Sequence, residues 1–554
     1  MQRSYSAKPD KERDMEEFTR EFGEFTYLAG FMAALERHPG RRALTCTTRE
    51  ASWTYAALNA AANRLAHALR AAGLGRTRSD VLMASLFNTP EYVFCFIGTQ
   101  KAGVVFSPIN FRLSAREVAL HLDDSRPRAY VYDAALAAVA REAVRLAEHK
   151  PELLIVVGEG PAAAGAVSYD DFTRGHAETN VVPERAAPTD EIVRLYTSGT
   201  TGEPKGVPLN HVNNILRALD VIMHFPLGPE DRTMNMTPWF HAGGLHSGGP
   251  CPALYVGAEV VGLREFKPRE VLDYVGRYGL TYLIGTPATI ELLARAQEKQ
   301  RADLRSLKGV VAMGSPLDRE SCLRYAATLT PNLYNGYGTT ETFWNTILRP
   351  HDLPDHAGAA GRACTGDQVR VVRLAEDVEH AEPDDCVPRD GTTEGEVIIR
   401  SLKGPFVYHN RPDETRRYYH RGWYYTKDIG VWDEQGYVTV LGRKDHMIIT
   451  AGENVHPASV EAVINQHPKV ADSLVVGVPD AVKGSVLAAY VVPADAGLTV
   501  DELRSSLSGE LAEFKRPRFY RFVDQLPVTA TGKKQHFVAS RWAREDFQKG
   551  VLTR

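Results

Sequence analysis

Tyr196-Thr197-Ser198-Gly199-Thr200-Thr201-Gly202-Glu203-Pro204-Lys205-Gly206 is the most constrained stretch of this 554-residue chain. Glycines let a backbone turn its N–H groups toward an anion and approach it closely. The interleaved hydroxyls add donors. Lys205 adds a point charge of the kind phosphates attract. The loop follows an apolar stretch, 192–196, that reads as a strand, so the segment suits a polyphosphate such as that of ATP. A Walker A loop requires Gly, four residues, then Gly-Lys-Ser/Thr. Counting from Gly199 or Gly202 fails that test, and Gly206 follows the lysine, which disfavours a P-loop NTPase.

Around this loop, helix and strand patterns alternate. Leu58, Ala62, Leu65 and Leu69 recur at helical spacing with Gly73 as a stop. Strands are expected at 81–87, 104–109, 129–132 and 153–157, and a helix over 92–102 closed by Gly103. Ser114 with Glu117 forms a capping box. Such alternation predicts a parallel sheet covered on both faces. Gly158-Glu159-Gly160 follows a strand, but the next glycine, Gly165, is too distant for a dinucleotide fingerprint. Residues 158–190 read as a surface connection and 374–394 as an exposed loop. A second alternating series runs over 235–334. Beyond Arg443 the pattern changes to a compact unit, with a helix over 457–466, strands at 473–478 and 487–492, and a last helix capped by Thr499 and Glu502.

The expected fold is therefore α/β. A large N-terminal domain of layered parallel and mixed sheets with flanking helices (1–442) precedes a small, mobile α+β domain (443–554). Apolar content of 44%, charged content of 24% and a net charge of −4 are ordinary for a globular protein and give no reason to propose nucleic acid as partner. The six cysteines are scattered and read as free thiols. With a polar N-terminus and no apolar run near the roughly 20 residues that span a bilayer, the expectation is a cytoplasmic protein without integral membrane association.

The phosphate loop resembles that of the adenylate-forming superfamily: acyl- and aryl-CoA ligases, adenylation enzymes of peptide synthetases, and firefly-type luciferases. Further motifs follow in order. They are Asn335-Gly336-Tyr337-Gly338-Thr339-Thr340-Glu341, Tyr424-Tyr425-Thr426-Lys427-Asp428, Gly442-Arg443-Lys444-Asp445 with Ala451-Gly452-Glu453-Asn454, and Leu526-Pro527-Val528-Thr529-Ala530-Thr531-Gly532-Lys533. The resemblance spans roughly residues 50 to 540. It departs from the family at Lys427, where a glycine is usual, and at His446, where a second acidic residue often follows the hinge.

The resemblance implies ATP-dependent conversion of a carboxylic acid to an acyl-adenylate with release of pyrophosphate, then transfer to the thiol of CoA. Two anions must meet, so catalysis needs positive charge and a metal more than a protein nucleophile. Thr197 to Gly202 and Lys205 would hold phosphates, with Thr201 also assigned to catalysis. Glu341 would hold Mg2+, which commonly takes one or two carboxylates plus substrate phosphates. Tyr337 would pack on adenine, Asn335 and Gly336 would line its pocket, and Gly314, Ser315 and Pro316 would flank it. Gly338, Thr339 and Thr340 complete that nucleotide set, with Thr340 on phosphate. Asp428 would accept from the ribose hydroxyls, with Arg443 beside it. Lys533 would be the cation of the adenylation step, with Lys534 as competitor. His241 would gate the acid pocket, which Thr286, Pro287, Gly314 and Gly338 would help to wall. Asp445 would be the hinge and Gly452 would face the thiol channel. An enzyme that loads a carrier protein is the alternative, and the carrier is expected to act in trans. A monooxygenase of luciferase type shares the fold. An idle nucleotide-binding regulator would be expected to lack Lys205, Glu341, Asp428 or Lys533, and all four are present. The acid is not specified, and a homodimer is left open.

Overall fold

The computed structural model describes residues 25–553 except 78, 161–162, 164, 182, 184–185, 199–203, 375–379, 451–452, 481–483, 512 and 529–533. Helix Tyr55–Ala71 starts where the Thr54 side chain accepts from the Ala57 N–H, and it buries Leu58, Ala62, Leu65 and Leu69. Helix Pro90–Ala102 is buried throughout and stops at Gly103, whose φ of +80° is readily adopted only without a Cβ. Several of its polar groups are paired in place: Thr99 Oγ1 and Gln100 Nε2 donate to the carbonyls one turn back, and Glu91 takes Arg49 at 2.6 Å. The capping box of Ser114 and Glu117 is formed at the head of Ala115–Ser125, a device contributing about 0.5–2 kcal/mol.

Seven strands form one sheet, in the order Val167–Ser168, Leu153–Val157, Ala129–Asp133, Val81–Ser85, Val105–Pro108, Glu191–Ser198 and Pro204–Asn210. All neighbours are parallel except the last two. A nine-stranded sheet carries six parallel strands, from Leu333–Thr339 through Gly309–Met313, Tyr282–Gly285, Arg232–Asn235 and Glu259–Gly262 to Arg42–Cys46, with antiparallel strands at both edges. Central strands such as Val81–Ser85 and Gly309–Met313 are buried at every position, which is why they read as unbroken small and apolar runs. A third sheet is antiparallel and centres on Trp423–Trp432, paired with Gly395–Arg400 and Val438–Arg443.

After Arg443 a separate sheet forms from Glu453–Val455, Ile448–Thr450, Gly484–Pro493, Val470–Asp480 and Phe519–Phe522. It packs two apolar clusters of its own, one around Val460, Ile464 and Leu503, the other around Leu474, Tyr490 and Ala539.

Three local expectations need amendment. The connection over 158–190 is not wholly irregular: it holds strand Val167–Ser168 and the one-turn helix Tyr169–Thr173, capped by Ser168. In 374–394 the described residues lack helix but are not all exposed, since Val387 is buried. Val500–Glu510 is capped by Thr499 as expected, yet it is not the last helix, because His536–Lys549 follows and buries Ala539 and Ala543 one turn apart. All six cysteines are free thiols. Among the described residues no helix is long and apolar enough to cross a membrane.

Candidate active site

The phosphate segment is a β-hairpin. Glu191–Ser198 pairs antiparallel with Pro204–Asn210, with Thr197 opposite Lys205 and Ser198 opposite Pro204. Its tip, with Gly199, Thr200, Thr201 and Gly202, lies outside the described residues. Lys205 is buried, and its ammonium is already engaged. It stands 3.2 Å from Glu414 Oε2, 4.3 Å above the Tyr418 ring and 5.2 Å from that of Tyr408. Cation–π contacts of this kind hold an ammonium without neutralising it. The buried Thr197 hydroxyl has no hydrogen-bond partner among the described residues, so a donor and acceptor remain at the base of the loop.

A second hairpin, Leu333–Thr339 with Phe343–Leu348, carries Glu341 in its turn. Asn335 donates to the Ala359 carbonyl, and Gly336 packs against Trp344. A Cβ on Gly338 would lie 1.5 Å from the Phe343 carbonyl oxygen, so only glycine lets the two strands close here. Thr339 Oγ1 lies 3.0 Å from the Thr342 hydroxyl. Glu341 is buried, and its Oε1 accepts the Tyr408 hydroxyl at 2.6 Å. Oε2 takes no hydrogen bond among the described residues. One carboxylate oxygen held and the other available is a donor set that fits Mg2+.

Behind the turn, the fully buried Arg217 donates to the carbonyls of Thr340 and Lys403, both at 2.9 Å. Burial pulls its guanidinium down to about 10. Lys403 lies 2.9 Å from Asp220 and 2.7 Å from Asp367 and donates to the Trp344 carbonyl. Asp220, His224 and Cys364 cluster there with metal-ligand chemistry. Lys403 and Arg349, the latter 2.5 Å from His224 Nδ1, already supply the cationic partners.

Asp428 sits inside strand Trp423–Trp432, directly opposite Arg443. Tyr337 donates to its Oδ2 at 2.7 Å and Arg443 to its Oδ1 at 3.2 Å. Burial, then the Asp428 charge, pushes the Tyr337 phenol well above its ordinary value, so it acts as a donor. Asp445 lies 3.7 Å from Arg443 in the turn that follows.

The third group surrounds the end of strand Gly309–Met313. His241 immediately precedes helix Ala242–His246, its ring 4.2 Å from Phe240, which meets Phe111 at 5.3 Å; Phe111 meets Phe87 at 4.4 Å. A Cβ on Gly243 would strike Met313 at 2.8 Å, which ties the His241 turn to the strand end. Gly314 follows with φ +86°, and Thr286 Cγ2 lies near it. Thr286 caps the helix that Pro287 opens. Gly314 and Pro316 are exposed and Ser315 half-exposed, so this end forms an open rim.

Gly452 and Lys533 lie outside the described residues. Lys534 is held 3.0 Å from Glu461 and 2.9 Å from Asp472, partners within its own sheet unit. Motif reading missed Tyr408, Tyr418, Glu414, Arg217 and Lys403. A clue to the first three is the tyrosine-rich run from 408 to 425, beside the acidic first turn of helix Pro412–Tyr418.

The sequence profile described as AMP-binding enzyme matches residues 31–407, and that of the AMP-binding enzyme C-terminal domain matches 459–533. The chain belongs to the AMP-binding enzyme family. This AMP-binding enzyme is 32% identical to indoleacetate–CoA ligase of Aromatoleum aromaticum, over 93% of this chain and 98% of the relative. It is 32% identical to the fatty acid–[acyl-carrier-protein] ligase ScoC of Streptomyces coeruleorubidus, over 90% and 92%. The crystal structure of anthranilate CoA ligase AuaEII with anthranoyl-AMP superposes with a TM-score of 0.85 at 25% identity, covering 94% of this chain and 98% of that one. Within the adenylate-forming superfamily, the AMP-binding enzyme described here is an acid–thiol ligase. It activates a carboxylate with ATP as an acyl-adenylate, releases pyrophosphate and transfers the acyl group to a thiol.

Proposed function

We propose that the cleft between the two hairpins is the adenylation site and that the acid is an apolar carboxylate. One observation carries this reading: Tyr408 lies under Lys205 with its ring and holds Glu341 with its hydroxyl. It thereby joins the phosphate lysine to the carboxylate that fits Mg2+. In the first step a carboxylate oxygen attacks the α-phosphorus and the bond to pyrophosphate breaks. Lys205 and the loop it closes steady the leaving phosphates, Asp428 and Arg443 orient the ribose, and Lys533 meets the developing charge. Mg2+ bound at Glu341 would supply charge neutralisation to the phosphates.

In the second step a thiolate attacks the acyl carbon and AMP leaves. We assign the change between steps to a turn of the unit after Gly442 about Asp445, which would bring the Gly452 region to the thiol channel and withdraw Lys533. The aromatic row of Phe87, Phe111, Phe240 and His241 suits an apolar acid, with His241 at its mouth. The relatives' aryl and fatty acids define the panel to test.

ATP–pyrophosphate exchange over aryl and fatty acids, repeated with CoA or with a phosphopantetheinylated carrier protein, tests the proposal. We expect exchange with at least one apolar acid and thioester only when CoA is present. Exchange with thioester on the carrier alone would move the acceptor to a protein. No exchange with any acid would end the reading.

A further inference from the structure

The cleft contains a cation that the family's motif does not provide. Lys427 stands where that motif has glycine, one residue before Asp428, and it has φ +63°. That left-handed backbone costs free energy for any residue with a Cβ and persists where the surroundings impose it, often at functional sites. Its side chain is also mostly buried, with 7% exposure, in a place where a lysine would ordinarily reach for water.

The direction of the side chain is informative. The Lys427 ammonium lies 5.9 Å from the Tyr418 ring, the ring that carries Lys205 at 4.3 Å. Arg443 feels the same Tyr418 and Tyr424. Three cations thus gather about one aromatic group beside the nucleotide residues. Two of them have carboxylates: Lys205 takes Glu414 and Arg443 takes Asp428. Lys427 forms no ion pair among the described residues. Buried Glu396 feels the Lys427 charge, accepts the Lys427 backbone N–H at 3.1 Å and has Lys444 at 3.9 Å.

We propose that Lys427 is an additional phosphate-binding residue that contacts the polyphosphate of the nucleoside triphosphate alongside Lys205. The inference rests on the reading of this cleft as the nucleotide site. A competing role is purely structural, with Lys427 offsetting the buried charge of Glu396.

Lys427→Gly separates the two roles because it restores a residue suited to φ +63°. With a productive acid in place, we measure KM for MgATP, inhibition by inorganic pyrophosphate, binding of AMP, and Tm. The expected result is a Tm equal to or above that of the parent, with KM for MgATP and the pyrophosphate inhibition constant each raised about 5- to 10-fold, the scale of one charged phosphate contact. AMP binding should change less than about twofold on the same scale, and Lys427→Arg should stay near the parent. Unchanged MgATP and pyrophosphate constants in Lys427→Gly would overturn the proposal. So would a fall in Tm with ATP, AMP and pyrophosphate weakened alike, since that is the signature of support for Glu396. If the parent enzyme exchanged pyrophosphate with no acid, the underlying reading would fail instead, before any variant was compared.

Discussion

Tyr337 gives its phenolic hydrogen to Asp428 at 2.7 Å, which joins the second hairpin to the central strand of the third sheet. The carboxylate is therefore held in one orientation before any ribose arrives, with Arg443 fixing its other oxygen. Preorganisation of this kind lowers the ordering cost of binding. Tyr337→Phe keeps the ring and removes the donor. We expect KM for ATP to rise about 3- to 10-fold, the worth of one hydrogen bond to a charged group, with little change in kcat. Steady-state kinetics at saturating acid and CoA measures this, and an unchanged KM would refute it.

Glu341→Gln should cut acid-dependent pyrophosphate release about 10²–10³-fold, the usual loss when one preorganised charge is removed. Tyr408→Phe should have a smaller effect and shift the Mg2+ dependence to higher concentration, because Oε1 of Glu341 loses its only described donor. Pyrophosphate release titrated with Mg2+ distinguishes the two variants.

Replacing Lys533 with Ala should slow adenylate formation by about 10²–10³-fold on the same reasoning. Thioester formation from chemically supplied acyl-AMP and CoA should persist near the parent rate. Equal loss in both assays would show that the residue does not belong to the first step alone.

Arg217→Met leaves the carbonyls of Thr340 and Lys403 without their donor in a buried setting. Each orphaned acceptor costs roughly 1–3 kcal/mol, so a total loss of about 2–6 kcal/mol is expected. Urea denaturation reads the loss. The folded fraction should also show impaired pyrophosphate release, because the Glu341 turn is no longer anchored.

Stability should fall in mild acid. His211 is buried, accepts the Tyr27 N–H at Nδ1, and is pulled by burial from 6.5 to about 4. Between those values the unfolded imidazole holds a proton that the folded one refuses. Unfolding then takes up protons, and stability declines as pH drops from 6.5 toward 4, by at most about 1.4 kcal/mol per pH unit for this group. Burial shifts His121 and His246 in the same direction. His211→Gln removes the titrating group but keeps an acceptor. Its denaturation midpoint should depend less on pH than the parent's, and an identical slope would count against the assignment.

Local chemistry made much of this protein legible. Ser114 and Thr499 announce their helices, and unbroken apolar runs such as 81–85 announce buried strands. Lys205, Glu341 and Asp428 could be picked out because each lies in a short stretch of unusual composition. Glu414 could not, since it meets Lys205 across 209 residues and a solitary acid in a helix's first turn has an ordinary explanation. Arg217 was hidden for a similar reason: its partners are backbone carbonyls, which any sequence possesses. The Asn335–Thr339 run is glycine-bearing, yet all of it is strand, because pairing with Phe343–Leu348 outweighs local preference.

The 1.5 Å that separates a hypothetical Cβ at position 338 from the Phe343 oxygen has an evolutionary corollary. Any inherited replacement there would wedge the hairpin open, shift Trp344 and drag its contact with Lys403 out of line. Natural variants of this enzyme that retain turnover should be invariant at that codon, whichever acid their pockets have drifted to accept.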